Sequence, residues 1–202
     1  MNQLVVKIGL EIQNSTFDYR IKFDLFLYFY HKMKVAIHGP MCSGKTTISN
    51  IIKECDPDYK TYSFGLKVKD VARDLFEMKG KDRSLLINIA SKMREINENV
   101  WVDYVIRQIN EDNNKKCIID DLRFQNEADS LEGWKIISLT TPEDVRIKRI
   151  KEVYPENYKD HIKNMGHISE TSKIILPEDT IYIDTSIHYD DLKEMITKVI
   201  CV

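Results

Sequence analysis

Eight consecutive residues, Gly39-Pro40-Met41-Cys42-Ser43-Gly44-Lys45-Thr46, fit the pattern G-x-x-x-x-G-K-[ST], and the flanking sequence narrows what the chain can fold into. Ahead of the motif, Lys34-Val35-Ala36-Ile37-His38 reads as a short buried strand; behind it, Thr46 to Lys53 carries apolar residues at helical spacing. In such a strand–loop–helix the glycines let the backbone curl until successive N–H groups converge on phosphate oxygens. The helix N-terminus adds partial positive charge. On this reading Gly39, Cys42, Ser43, Gly44, Lys45, Thr46 and Thr47 surround a nucleoside triphosphate. Lys45 reaches the β and γ phosphates, and Thr46 offers its hydroxyl to Mg²⁺. ATP and Mg²⁺ are the expected cofactors.

A length of 202 residues suits one domain, and 43% hydrophobic residues suffice for a core. A net charge of −2 lacks the basic footprint of a nucleic-acid binder, so no nucleic-acid partner is expected. The four cysteines (Cys42, Cys55, Cys117, Cys201) show no C-x-x-C spacing, which argues for a reducing compartment without a disulfide framework or zinc site. Cys42 reads either as a thiol acidified by the loop dipoles or, more simply, as a small residue at a variable loop position. The densest apolar run, Phe23 to Tyr30, is too short to span a membrane and contains Asp24. A cytoplasmic location with no membrane partner is expected. Oligomeric state, a homodimer included, is left open.

One nucleotide-binding domain over residues 33–202, preceded by an N-terminal extension over 1–32, is expected. Residues 1–32 hold two strand-like stretches, Val5 to Ile12 and Ile21 to Tyr30, ahead of the nucleotide-binding pattern. They read as an added hairpin or as sequence upstream of a true start at Met33. From residue 33 to 202 strands and helices alternate. A short strand at Thr61–Ser63 precedes helical spacing over Leu66–Glu77, Arg83–Glu95 and Trp101–Asn110. The apolar run Cys117-Ile118-Ile119 leads into Asp120-Asp121, with a helix near Asn126 and a strand over Trp134–Thr140. Thr141-Pro142-Glu143-Asp144 has the form of a helix start with Thr141 as the cap. A polar stretch follows to Lys173, then a strand at Ile181–Ile183 and a helix over Asp190–Val199. Unalternating strands interleaved with helices predict an α/β fold: a parallel sheet flanked by helices in three layers, with ligands at the strands' carboxyl ends.

A GTPase would carry an N-K-x-D guanine reader, and Asn114-Lys115-Lys116-Cys117 lacks its Asp. Asp121, with Asp120 beside it, has the form of a strand-end acid that organises Mg²⁺; Arg123, two positions on, faces the same site. Arg146 and Arg149 lie three apart on one helix face. They either close on the donor phosphates or form a solvated basic face. Lys81 and Arg83 after Gly80 are weaker candidates that read as surface charge. His38, His161 and His167 show no metal-ligand spacing.

Five segments occur in order: Ser63-Phe64-Gly65-Leu66-Lys67, Ala90-Ser91-Lys92-Met93-Arg94, Val100-Trp101-Val102, Asp121-Leu122-Arg123-Phe124-Gln125-Asn126-Glu127-Ala128 and His167-Ile168-Ser169-Glu170-Thr171. Together they resemble the deoxynucleoside monophosphate kinases of large phages and large DNA viruses, a branch of the P-loop kinases. The animal phosphomevalonate kinases share part of the pattern. Ala90-Ser91 stands where the family often has Gly-Thr, and Asp184 where it has Asn. The resemblance implies a P-loop kinase fold with acceptor-binding and lid helices, and a deoxynucleoside monophosphate as partner substrate. A viral protein would then work in its host's cytoplasm. Lys67 and Arg94 would hold the acceptor phosphate with Arg123 beside them, within an acceptor pocket that includes Ser63 and Phe64. Ser169 and Glu170 would face the acceptor or the lid. Trp101 either packs near the acceptor base or is a core tryptophan. The expected catalytic set is Lys45, Asp121, Arg123 and Arg149, with Thr46 and Asp121 at the metal. The expected reaction turns ATP and a monophosphate into ADP and a diphosphate. A kinase of another phosphorylated acceptor, or a non-catalytic ATP-binding module, are the alternatives.

Overall fold

The computed structural model describes residues 34–200. The expected extension at 1–32, both of its strands included, lies outside the described residues. Five strands form one parallel sheet: β1 (Val35–His38), β2 (Lys60–Tyr62), β3 (Cys117–Leu122), β4 (Lys135–Thr140) and β5 (Ile181–Asp184), in the order β2-β3-β1-β4-β5. The helices between them are α1 (Lys45–Cys55), α2 (Leu66–Phe76), α3 (Arg83–Ile96), α4 (Val100–Asp112), α5 (Gln125–Asp129), α6 (Glu143–Val153), α7 (Tyr158–Lys163), α8 (Ile168–Thr171) and α9 (Tyr189–Ile200). One 3₁₀ turn at Asn164–Gly166 joins α7 to α8. Among the described residues no helix is long and apolar enough to cross a membrane.

The sheet is covered on both faces, which explains its continuous apolar runs. Successive strand side chains point to opposite faces. Val35 and Ile37 of β1 therefore join Ile48, Ile51 and Ile52 of α1 and Leu192 and Ile196 of α9 on one side. Ala36, between them, packs with Ile119, Ile136 and the α4 residues Val102, Val105 and Ile109 on the other. Each such aliphatic side chain, fully buried, contributes about 1.5–3 kcal/mol. A third, smaller cluster lies away from the sheet. Val68 and Ala72 of α2 pack with Leu86 and Ile89 of α3 and with Trp101, making a separate helical arm.

The order of strands places the loop after β1 at a crevice. β1 is flanked by β3 and β4, so the chain crosses over β1 between them, and the loop at its carboxyl end sits where the connections diverge. The helix after β4 begins differently from the expected cap. Pro142 precedes the first helical residue, Glu143, and no side chain caps the start. Thr141 instead meets the Thr185 hydroxyl at 2.7 Å, so its oxygen joins β4 to the loop after β5.

Candidate active site

The loop from Gly39 to Gly44 bends through backbone that side chains rarely adopt. Gly39 has φ 152° and Gly44 φ 93°, and Cys42 between them has φ 59°. A Cβ on Gly39 would come within 2.7 Å of Ser43 Oγ and 3.0 Å of Leu139 Cβ, so only glycine fits there. Neighbours hold the loop in this shape. The Thr185 hydroxyl donates to the Ser43 carbonyl at 2.7 Å. Arg149 donates to the Cys42 carbonyl at 3.3 Å and to the Thr185 carbonyl at 2.6 Å. Burial pushes the Cys42 thiol up, so it stays protonated and fills the role of a small loop residue.

Lys45, the first residue of α1, folds back on the loop and donates to the carbonyls of Gly39 and Pro40 at 2.6 Å each. Burial, with Arg123 adding repulsion, lowers its pKa to about 7. A triphosphate would supply the counter-charge that this ammonium lacks. His38 at the end of β1 is likewise pushed down to about 4, by burial and then by Lys45 and Arg123, and its Nδ1 meets Ser138 Oγ at 3.0 Å. It is neutral at physiological pH.

The loop opens into a cleft of about 750 Å³ that continues between α2, α3 and α6. Seven lysine and arginine side chains and three carboxylates line it, a cationic surplus in a chain whose net charge is −2. Such a surplus marks an anion site. Of the residues expected here, Cys42, Gly44, Lys45, Thr46, Thr47, Ser63, Phe64, Arg94, Asp121, Arg123, Arg149 and Ser169 do line the cleft. Arg94 lies 4.2 Å over the Phe124 ring and 3.5 Å from Glu127. Glu127 accepts from the N–H groups of Arg123 and Phe124 at 2.8 and 3.0 Å, and burial beside Asp121 raises its pKa to about 7.

Several expectations are corrected. Trp101 does not reach the cleft; it is 3% exposed and donates to the Ala90 carbonyl within the helical arm, so of its two readings it takes the core one. Lys67 turns away, its ammonium 5.9 Å from the Tyr104 ring, and Lys69 lines the cleft instead. Arg146 is not part of the cleft wall, whereas Arg149 one turn on is. Arg149 itself spends its donors on the loop and on Thr185, which makes it a brace in this conformation. Asp121 is committed to the turn after β2: it accepts from Ser63 Oγ at 2.7 Å, from Phe64 N–H at 2.9 Å and from Gly65 N–H at 2.8 Å. Asp120 is the strand-end acid left facing the cleft, its pKa raised to about 6 by burial and by Asp121.

Some residues of the cleft carried little sequence signal. Lys81 and Arg83, which read as surface charge, turn inward: Lys81 donates to Tyr154 Oη at 2.8 Å, and Arg83 pairs with Glu170. Glu170 has a fully buried side chain and also takes Arg123 and the Met41 N–H. The polar stretch before Lys173 builds this wall. Asp160 of α7 accepts from Arg83 N–H at 2.8 Å and from Ser84 Oγ at 2.6 Å, latching α7 to the start of α3.

A family model described as an AAA domain matches residues 35–170, more than half of the 202 residues. The chain belongs to this AAA-domain family. No curated protein matches it. Among solved structures, this AAA-domain chain is similar to a protein of Thermus thermophilus at 12% identity and a TM-score of 0.54, over 85% of this chain and 97% of that one. It is also similar to a Chloroflexus aurantiacus protein provisionally described as a kinase, at 13% identity and a TM-score of 0.51, over 83% of this chain and 98% of that one. At these identities the likeness is one of fold. The architecture is the three-layer α/β arrangement, a parallel sheet flanked by helices, that the alternation of strands and helices predicts.

Proposed function

We propose that this chain is an ATP-dependent kinase of deoxynucleoside monophosphates, transferring the γ-phosphoryl group of ATP to the acceptor's phosphate. One observation carries the reading. One cationic cleft is lined both by the phosphate loop and by a largely apolar group from other elements, Phe64, Val68, Leu86, Ala90 and Phe124, with Arg94 among them. A non-catalytic ATP module has no use for this further wall. Kinase chemistry needs both, because two anions must be held within bonding distance while water is kept out. The Chloroflexus structure of like fold, itself provisionally described as a kinase, favours the same class.

In the proposed reaction the triphosphate lies along the loop N–H groups with its γ-phosphate toward Lys45, Arg83 and Arg123. Ile187 and Tyr189, close in sequence to Thr185, line the cleft and would offer apolar contact to the adenine. The acceptor's phosphate meets Arg94, Lys69 and Arg123, and one of its oxygens attacks the γ-phosphorus in line. Lys45 and the arginines stabilise charge that spreads over the moving group. The donors present suit Mg²⁺. Asp120 carries a raised pKa that a nearby cation would lower, and Thr46 stands at the first turn of α1. Among the described residues no group of three or more His, Cys, Asp or Glu side chains is built for a metal. That fits an ion held by one or two side chains plus phosphates and water. When bound, Mg²⁺ would neutralise the β and γ oxygens.

The base-facing wall is apolar apart from Ser91, Arg94 and Glu127, and the sequence pattern favours a deoxynucleotide. ADP release from ATP and Mg²⁺ tests this directly, with dTMP, dGMP, dCMP and phosphomevalonate offered in turn. Strong release with at least one deoxynucleotide, and little with water alone, is expected. Preference for phosphomevalonate would reassign the acceptor. Hydrolysis indifferent to every acceptor would remove the kinase reading.

A further inference from the structure

Three donors from three separate elements converge on one carboxylate. Glu170 Oε2 accepts the Met41 N–H of the phosphate loop at 2.7 Å, and Oε1 takes the guanidinium groups of Arg83 at the start of α3 and Arg123 after β3. The side chain is sealed from solvent. A phosphate-loop N–H with two forked cations is the donor set that phosphoryl oxygens favour. A carboxylate offers two oxygens and one charge to this set, where a phosphoryl group offers three oxygens and more charge. The shortfall is visible: Arg83 Nε is buried with no hydrogen-bond partner among the described residues.

Glu170 is also weakly anchored by anything except these bonds. It sits on α8, a four-residue helix with no buried residue, whose Ile168 is 62% exposed. Besides the carboxylate's bonds, the tie from α8 to the cleft is Arg123 donating to the Ser169 carbonyl at 2.9 Å. Gly166, just before α8, has open space around it. Apolar packing would resist displacement by an anion; charge-assisted ties are what a stronger anion can replace. Burial opposes the charge on Glu170, but Arg123, Arg83 and Lys45 outweigh it and hold the carboxyl below its usual range, so the side chain is an anion at neutral pH.

We infer that Glu170 is an internal stand-in for the transferring phosphoryl group: it fills the Met41–Arg83–Arg123 subsite in the empty chain and yields it to a nucleoside triphosphate. The inference rests on the donor-site reading of Gly39–Thr46. The ligand class of the subsite is a terminal phosphoryl group. A diphosphate lacks that group and leaves Glu170 where it is. The empty chain thus keeps its two arginines parked on a counter-ion, and binding of the triphosphate frees α8 while delivering the arginines to the γ-phosphate.

The test is equilibrium binding of the Mg²⁺ complexes of a β,γ-imido ATP analogue and of ADP to the full chain and to Glu170→Gln. Weakening an internal competitor raises the competent fraction, so the variant should bind the triphosphate about tenfold tighter with ADP changed less than about twofold. Unchanged or weaker triphosphate binding in the variant would make Glu170 a fixed brace for the arginines and overturn the inference. Should the variant not fold, hydrogen exchange on the unaltered chain decides. The triphosphate analogue, and not ADP, should speed exchange over residues 167–172. Bound triphosphate without that change overturns the stand-in while leaving the donor site intact. If neither nucleotide binds the unaltered chain, the donor-site reading falls as well.

Discussion

At the donor end of the cleft, one contiguous stretch from Gly39 to Thr46 supplies the bend, the N–H groups, the lysine and the hydroxyl. At the proposed acceptor end the wall is assembled from the Ser63–Gly65 turn and the start of α2, the inner face of α3, residues of Arg123–Glu127, and His167 and Ser169, none of these segments neighbours in sequence. The two ends are also held differently. The donor loop is shaped by glycines at positive φ and held by hydrogen bonds from Thr185 and Arg149. The acceptor wall rests on a helical arm with its own small core and on ion pairs through Glu127 and Glu170. A glycine-shaped loop clamped by Thr185 and Arg149 is preorganised and gains little by moving. An arm joined by polar ties can shift as substrates arrive. On the proposed reading, rigidity at the donor and adjustability at the acceptor suit a transfer in which ATP is constant and the acceptor must be enclosed.

The largest effect should come from the rigid end. Lys45→Ala removes a cation aimed at developing charge, and turnover should fall by about 10²–10³-fold or more. Folding should be little affected, since Lys45 bonds only to its own loop's carbonyls. Circular dichroism and a thermal melt beside the ADP-release assay separate the two outcomes. A folded variant with unchanged turnover would mean that this loop is not the donor site.

The same lysine sets a pH signature for binding of the triphosphate. Its pKa in the empty chain is lowered to about 7, by burial and then by Arg123. Lys45 is charged below that value and neutral above it. kcat/KM for ATP, which reports the free enzyme, should therefore fall as pH rises through about 7, approaching tenfold per pH unit. kcat should not follow, because bound phosphates restore the proton. Lys45→Arg keeps its charge throughout and should lose the alkaline fall even if its rate is lower. Parallel declines in kcat and kcat/KM would place the titrating group elsewhere.

The difference between the two ends also explains what could be read without coordinates. Strands β1, β3 and β4 and the phosphate loop are legible because their signals are local: apolar runs without alternation, and glycines at fixed offsets from a lysine. Helices α7 and α8 are not, because the stretch before Lys173 spends its residues on caps and inter-element bonds such as Asp160 to Ser84, which leave no periodic apolar trace. The choice between Asp120 and Asp121 turned on which carboxylate the 63–65 turn would consume, a contact across 58 residues for Ser63. Trp101 reads from sequence as either a base-packing ring or a core side chain, because tryptophan suits both. Its neighbours Val68, Ala72 and Leu86 make it core, and they lie on other helices.

The smallest predicted effect is the finest test of how the acceptor arm is oriented. Lys67 and Lys69 are two residues apart on α2, a spacing that turns them to opposite sides of a helix. The family pattern favours Lys67 for the acceptor phosphate, whereas the cleft wall contains Lys69, which also lies near enough to Asp120 to lower its pKa against burial. Lys69→Ala should raise the acceptor KM by about three- to tenfold, the loss of one partly exposed charge contact at about 1 kcal/mol, with the KM for ATP little changed. Lys67→Ala should leave both within about twofold, because its ammonium is partnered by the Tyr104 ring outside the cleft. The reverse ranking would mean that α2 rotates when the acceptor binds. Helix α2 meets α3 through Val68 and Ala72, so such a rotation would have to carry both of these contacts with it. It would turn the adjustable end of the cleft from a wall that shifts into one that repacks.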